Sequence, residues 1–437
     1  MSLESRLLET LSPWRTAPAW RVGFSGGLDS TVLLHLLARL ARRESLPPIS
    51  AIHVHHGLQA VADAWPGHCQ RFCDSLGVPL LVEHVEVGKG ASLERAARDA
   101  RYAAFIRNLQ AGECLLTAQH RDDQAETVLF RLFRGAGVRG LAGIPAVRRL
   151  GRGILLRPLL DVSRAELEAY ARSRGLSWID DPSNTDSGFD RNYLRREVLP
   201  VIARRWPQAS ANIARSAAHL AESEALLAEL AQLDLVAADA CASHGGWGVP
   251  SLCMESLRQL GEARQRNALR NWLAPWTAMP DSAHWDGWVA LRDSARDAQP
   301  VWRLAAGELH RAQGRLWWLS GDWLRAPADP PGWTDPRVPL ALPGNGLLRF
   351  SGEPPQGALE VRYRRGGEML ELPGRGRRDI KRLLNEAGVP VFLRGRLPLL
   401  WRSDELLAVA GLPFLRSVSD ATWTLLWEAP TNDPGLS

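Results

Sequence analysis

Between residues 20 and 160, short apolar runs alternate with longer stretches whose leucines and alanines recur every three or four positions. Residues 20–24, 49–53, 80–87 and 113–118 are the short runs, and their length and β-branched content predict strands. Residues 30–43, 92–108 and 122–133 carry the helical spacing. Such alternation, with short connections, predicts an α/β fold in which a parallel sheet is covered by helices on both faces. Ligands of such sheets bind outside the carboxyl ends of the strands. That end is where the polar, glycine-rich segments of this chain fall.

Beyond residue 206 the pattern changes. Residues 207–240 are rich in alanine and leucine, with Pro207 in a first-turn position and Ile213, Ala217, Leu220, Leu227 and Leu230 at helical intervals. They predict a long helix leading into a second, helical domain. Residues 248–323 are mixed and dense in tryptophan, and the prolines of 327–343 mark a linker. Residues 359–428 predict a small α/β unit. The chain thus divides into domains at 1–205, 206–330 and 345–437.

Composition changes this picture little. The 437 residues carry a net charge of +5, with 45% hydrophobic and 23% charged positions, an ordinary globular balance. All the positive side chains but Lys89 and Lys381 are arginine, which suits phosphate but also follows from GC-rich coding. Cys69, Cys73, Cys114, Cys241 and Cys253 form no CxxC pair, so zinc-ribbon and iron–sulfur readings lose their usual signal. The first twenty residues lack a signal-peptide pattern, and no apolar run nears the ~18 residues that span a bilayer. The expectation is a cytoplasmic protein with no membrane contact.

Three segments carry candidate chemistry. Ser25-Gly26-Gly27-Leu28-Asp29-Ser30 lies between a predicted strand and a predicted helix. Its glycines allow a tight turn, its serines add donors, and the helix start favours an anion. Asp29 would repel a bare phosphate, so its presence implies a Mg²⁺ between them. The Gly-Lys-Ser/Thr ending of common nucleotide loops is missing. His53-Val54-His55-His56-Gly57-Leu58 has three histidines but no companion carboxylate at ligand spacing, and no metal is assigned to it. In Thr117-Ala118-Gln119-His120-Arg121-Asp122-Asp123-Gln124-Ala125-Glu126-Thr127, Asp123 and Glu126 share a helix face beside His120. Taken alone, that segment reads first as an acidic helix start favoured by the dipole.

Together the segments resemble one family. The loop matches SGGxDS of the PP-loop ATP pyrophosphatases, which form Rossmann-like domains. The acidic segment, continued through Arg131-Leu132-Phe133-Arg134-Gly135 and Gly140-Leu141-Ala142-Gly143-Ile144, resembles the lysidine synthetase pattern TAHHxDDQAETxLxRLxRGxGxxGLxGI. One departure stands out: Gln119 replaces the first histidine of that pattern. Ala97-Arg98-Asp99-Ala100-Arg101-Tyr102 is similar to the family's ARxxRY helix, and His55-His56-Gly57-Leu58 to its HHxL stretch flanking the adenine. Arg157-Pro158-Leu159-Leu160, Asp181-Pro182-Ser183-Asn184 and Arg191-Asn192-Tyr193-Leu194-Arg195 follow in the family's order. Residues 364–400, with Arg364, Arg365, Lys381 and Arg382, resemble its terminal tRNA-binding domain.

The resemblance implies an enzyme that uses ATP and Mg²⁺ to attach free lysine to the wobble cytidine of the isoleucine tRNA with anticodon CAU, through an adenylated base. It implies that Ser25, Gly26, Gly27, Leu28, Asp29 and Ser30 hold the nucleotide, with Asp29 and Asp122 as metal ligands. Asp123 is the first candidate to take the lysine proton, with His120, Glu126 and Asp29 completing the catalytic set. Arg98, Arg101, Asp181, Asn184, Arg191 and Arg195 are substrate contacts. Domain 1–205 is then catalytic, and 206–330 and 345–437 bind substrate and tRNA, with the basic group Arg375, Arg377, Arg378, Lys381, Arg382, Arg394 and Arg396 meeting the tRNA body. Pairing into a homodimer stays open. The rivals are a tRNA-thiolating PP-loop enzyme, which generally needs cysteines, and a non-catalytic tRNA-binding relative.

Overall fold

A computed structural model describes residues 2–57, 60–88, 93–181, 190–241, 243–278, 282–295, 298–418 and 422–432. The chain forms two compact units, Met1–Leu226 and Leu227–Ser437.

In the first unit the elements run α1 (Leu3–Leu11), β1 (Trp20–Gly23), α2 (Leu28–Ala41), β2 (Ile49–His55), α3 (Trp65–Leu76), β3 (Leu80–His84), α4 (Leu93–Asn108), β4 (Cys114–Leu116) and α5 (Arg121–Leu132). They continue with α6 (Val138–Leu141), β5 (Val147–Leu150), β6 (Gly153–Leu156), α7 (Arg164–Ser173), α8 (Asp190–Tyr193), a π-helical turn at Leu194–Val198, and α9 (Leu199–Arg205). Helix α10 (Ala209–Ala237) carries the boundary between the units.

Among the described residues, six strands form one sheet in the order β3-β2-β1-β4-β6-β5. All neighbours are parallel except the β5–β6 hairpin. From β1 the chain winds outward through β2 and β3, then returns to place β4 on the other side of β1. The carboxyl ends of β1 and β4 therefore border the point where the winding reverses, the crevice in which such sheets bind ligands.

Both faces are dry. Trp20, Val22, Phe24, Cys114, Leu116 and Leu156 pack with the leucines of α2 and with α1, α3 and α7. On the opposite face Ile52, Leu115 and Leu155 pack with Phe105 and Leu109 of α4. Burying both faces requires near-continuous apolar strands, which is why β4 reads Cys-Leu-Leu with every residue buried.

In the second unit, residues 251–319 combine α11 (Met254–Arg258), α12 (Glu262–Leu273) and α13 (Asp286–Asp293) with a sheet in the order β7-β10-β9-β8. Those strands are β7 (Ser251–Cys253), β8 (Val301–Leu304), β9 (Gly307–Ala312) and β10 (Arg315–Leu319), all antiparallel. The tryptophan density is the core of this part: Trp272, Trp285, Trp288, Trp302 and Trp318 pack with Leu252, Leu309 and Leu316. The helical expectation for this region thus gains a sheet.

Residues 340–428 form β11 (Leu340–Ala341), β12 (Leu347–Ser351), β13 (Leu359–Arg362), β14 (Met369–Leu372), β15 (Gly376–Asp379), α14 (Ile380–Glu386), α15 (Val391–Arg394), β16 (Leu399–Arg402), β17 (Glu405–Val409) and β18 (Thr424–Glu428). They surround a core of Leu370, Ile380, Leu384, Leu400 and Leu407.

Candidate functional site

The loop after β1 and the segment after β4 leave adjacent strands and meet. Gly26 turns the chain with φ at +83°, and Thr31 and Ser30 donate their hydroxyls to the carbonyls of Gly26 and Gly27 at 3.3 and 3.0 Å. Ser25 Oγ lies 3.0 Å from Ser30 Oγ and accepts from the Gly27 amide at 3.3 Å. Two hydroxyls are thereby gathered at the amino end of the fourteen-residue α2, a place that favours bound anions. A β-carbon on Gly26 would lie 2.6 Å from Ile179 Cδ1 and 3.0 Å from Cys69 Sγ, so glycine is required there by both space and backbone.

His120 opens α5. Its Nδ1 accepts from the Asp122 amide at 3.2 Å, and the Asp123 carboxylate accepts from the His120 amide at 3.0 Å, a reciprocal cap. With Nδ1 used as an acceptor, the neutral ring carries its proton on Nε2. That atom is buried without a hydrogen-bond partner and lies 3.6 Å from Asp29 Oδ2 and 3.5 Å from Asp123 Oδ2. The phosphate-loop acid and the helix-start acid therefore converge on one imidazole. Burial, reinforced by Asp123, holds the Asp29 carboxyl above its ordinary range against the pull of His120, Arg164 and Arg195.

Behind this pair stands an arginine clamp. Glu126, only 1% exposed, accepts from Arg191 Nε at 2.9 Å and from Arg195 Nε and Nη2 at 2.6 and 2.9 Å. Asp123 Oδ1 accepts from both guanidiniums at 3.1 and 3.2 Å. Asp123 is thus oriented from both oxygens, while Glu126 is sealed beneath its partners. Arg191 and Arg195 come from α8 and the π-helical turn after it, whose altered pitch lies beside α5.

The site residues expected from sequence divide accordingly. Ser25, Gly26, Gly27, Asp29, Ser30, His120, Asp122, Asp123, Glu126, Arg191 and Arg195 belong to one contiguous arrangement, and Leu28 is buried in the core beneath it. Arg98 and Arg101 stand on α4, around Tyr102: the Arg98 guanidinium lies 5.0 Å from that ring, and Arg101 adds its charge beside His56. Asp181 is half-buried, and Asn184 lies outside the described residues.

The three histidines of residues 53–56 face separate partners. His53 Nδ1 bonds the Phe24 carbonyl, His55 lies 3.2 Å from Asp63, and burial and then Arg101 push His56 down to about 4. Arg164 is a site residue that the motifs do not reveal. Its guanidinium reaches Asp29 at 3.3 Å, and its amide donates to Asp122 at 2.9 Å. The Ser163–Glu166 capping box that starts α7 is the local sequence signal that fixes its place.

In the second unit the basic group separates. Arg377, Arg378 and Lys381 are exposed, and Arg375 and Arg382 share Glu386 at 2.9 and 3.0 Å. Arg396, grouped with them on sequence, is 5% exposed and donates to the carbonyls of Gly344, Asp322 and Arg325 and to Asn345 Oδ1. It ties loops together and is withdrawn from any RNA, and Arg394 is half-buried on the Val389 carbonyl.

Residues 1–202 match the model of a PP-loop domain, residues 252–317 that of the TilS substrate binding domain, and residues 359–427 that of the TilS substrate C-terminal domain. The tRNA(Ile)-lysidine synthase of Pseudomonas aeruginosa is 64% identical over 441 residues, covering 100% of this chain and 99% of that one. That of Pseudomonas fluorescens is 61% identical over 436 residues with the same coverage, and that of Escherichia coli O157:H7 is 42% identical over 401 residues, covering 89% and 91%. With a phosphate loop and an acid pair joined through one histidine, and with relatives this similar along the whole length, the chain belongs to the tRNA(Ile)-lysidine synthase family.

Proposed function

We propose that this chain performs the family's reaction in full, joining free lysine to the wobble cytidine of the CAU-anticodon isoleucine tRNA at the expense of ATP. The observation that carries the reading is the meeting of Asp29, His120 and Asp123 at the sheet's switch point, within one step of the Ser25–Ser30 hydroxyls.

The chemistry has two stages. The cytosine ring-carbonyl oxygen attacks the α-phosphate of ATP, and the bond to the leaving pyrophosphate breaks. The lysine ε-nitrogen then attacks the ring carbon, the carbon–oxygen bond breaks, and AMP departs. The first stage needs negative charge stabilised on the outer phosphates, which the loop amides, Ser25, Ser30 and the α2 amino end supply. The second needs a neutral amine, which at pH 7 costs about 4–5 kcal/mol from a reference pKa near 10.4. Asp123 takes that proton in our reading, held in place by Arg191 and Arg195 and facing His120 Nε2.

Asp29 and Asp122, whose carboxylates lie 3.6 and 3.7 Å from the two ring nitrogens of His120, would hold a Mg²⁺ in this reading. The Asp29 carboxyl is held above its ordinary range by burial, so a cation beside it relieves a real cost. Mg²⁺ commonly takes one or two carboxylates and completes its shell with phosphates and water. Bound there, it would supply charge neutralisation on the pyrophosphate.

Arg98 and Arg101 are assigned to RNA phosphates, and the exposed Arg377, Arg378 and Lys381 to the tRNA body. Cytoplasmic location follows from the substrate. Thiolation is disfavoured by the cysteines of the first unit: burial pushes the Cys69 and Cys73 thiols up to about 12 and Cys114 to about 11, far from reactive thiolates.

Incubation with ATP, Mg²⁺, the unmodified tRNA and a panel of labelled amino acids tests the reading. Lysine label should enter the RNA with one AMP formed per lysine, and Asp123→Asn should cut lysine transfer at least about a hundredfold, the scale of a lost general base. Label from another amino acid, or undiminished transfer by Asp123→Asn, refutes it in whole or in that part.

A further inference from the structure

Gln119 departs from the family pattern, and its surroundings explain how the departure works. Its carboxamide oxygen accepts from the Thr117 hydroxyl at 2.6 Å and from Arg157 Nε at 3.1 Å. Arg157, at the end of β6, is 4% exposed, donates Nη1 to the Pro145 carbonyl, and is hydrogen-bonded to the Tyr102 hydroxyl. Among the described residues no carboxylate pairs with it. The surroundings are instead cationic: the guanidiniums of Arg98 and Arg148, both on exposed residues, lie 5.0 and 4.9 Å from the Tyr102 ring. Burial, and after it Arg148 and Arg98, hold Arg157 below its ordinary value while Tyr102 opposes them.

A buried cation without a counter-ion depends on neutral acceptors, because each one removed leaves a charged donor unsatisfied. A histidine at position 119 could accept from Arg157 only while neutral; once protonated it would add a charge of the same sign. The carboxamide accepts at every pH.

We propose that Gln119 is a positioning residue that fixes the buried Arg157 against Tyr102, so that the exposed Arg98 and Arg148 on that ring hold an RNA backbone phosphate. The proposal rests on the reading of Arg98 as an RNA contact.

Three variants test it, each assayed for the Michaelis constants of tRNA and ATP between pH 5.5 and 8.5. Gln119→Leu should raise KM for tRNA about tenfold, the scale of one missing hydrogen bond to a charged group, with KM for ATP unchanged. Gln119→His should match the parent at pH 8 and show a new acid limb in kcat/KM for tRNA as the imidazole protonates. Arg98→Gln should raise KM for tRNA without altering the pH profile. Parental KM and pH profiles in both Gln119 variants, or equal losses for ATP and tRNA, overturn the positioning role. A parental KM in Arg98→Gln overturns the RNA reading beneath it, whatever the Gln119 variants do.

Discussion

At the scale of single residues, the acids of the site act on folding in opposite directions. Asp29 has a carboxyl raised by burial and by Asp123, so its ionised form is less favourable in the folded state than in the unfolded chain. The sign follows: stability is full below the unfolded carboxylate value and is lost as pH rises through the folded one. Asp29→Asn should therefore raise the melting temperature of the ligand-free protein by about 2 °C at pH 7.5, with the gain vanishing near pH 3, while pyrophosphate release falls to background. Paired thermal scans and a pyrophosphate assay check both halves. Glu126 carries the opposite prediction. Its charge is buried but fully met by Arg191 and Arg195, so Glu126→Gln should cost about 2–4 kcal/mol in urea unfolding, somewhat less than a fully buried pair because the guanidiniums are partly exposed.

At the scale of elements, the turn after β1 is the most constrained. Gly26→Ala places a methyl group against Ile179 and Cys69 in a left-handed backbone, and should cost about 1–3 kcal/mol and raise KM for ATP. Isothermal titration with ATP and chemical unfolding measure the two effects.

This turn was legible in the sequence because glycine has few other reasons to stand twice between a strand and a helix. The sheet was legible for a similar reason: β1, β2, β3 and β4 are short apolar runs bounded by polar ends. What escaped is instructive. Helix α3 begins Trp-Pro and buries only Cys69 and Cys73, too few apolar positions to show a helical period. Strand β5, reading Val-Arg-Arg-Leu, is an exposed edge whose place is set by pairing with β6. The reach of Arg164 to Asp29 and the Arg157–Gln119 hydrogen bond join segments that are distant in sequence, so no local pattern discloses those contacts. Arg396 shows the same limit from the other side, since a basic run in sequence cannot distinguish a loop-binding arginine from a surface one.

For the whole molecule, the net charge of +5 is modest, and RNA attraction must come from local clusters. Replacing Arg377, Arg378 and Lys381 with glutamine should lower the salt slope of tRNA binding by about one unit for each phosphate that no longer meets a cation, leaving ATP affinity untouched. Filter binding across a salt series measures that slope. Arg396→Gln is the contrast: it should weaken the second unit's thermal stability and change the slope little, because its donors are spent on carbonyls.

The clamp around Glu126 has a consequence for biosynthesis. The acids of α5 emerge from the ribosome some seventy residues ahead of Arg195. Until those arginines arrive, a nascent chain that has completed its sheet must keep Glu126 in water, since burying its charge alone is prohibitively costly. Asp123 and Glu126 thus settle only once the π-helical turn has been made. A product truncated before the π-helical turn would hold its central strands yet leave Glu126 without Arg195 and open to water.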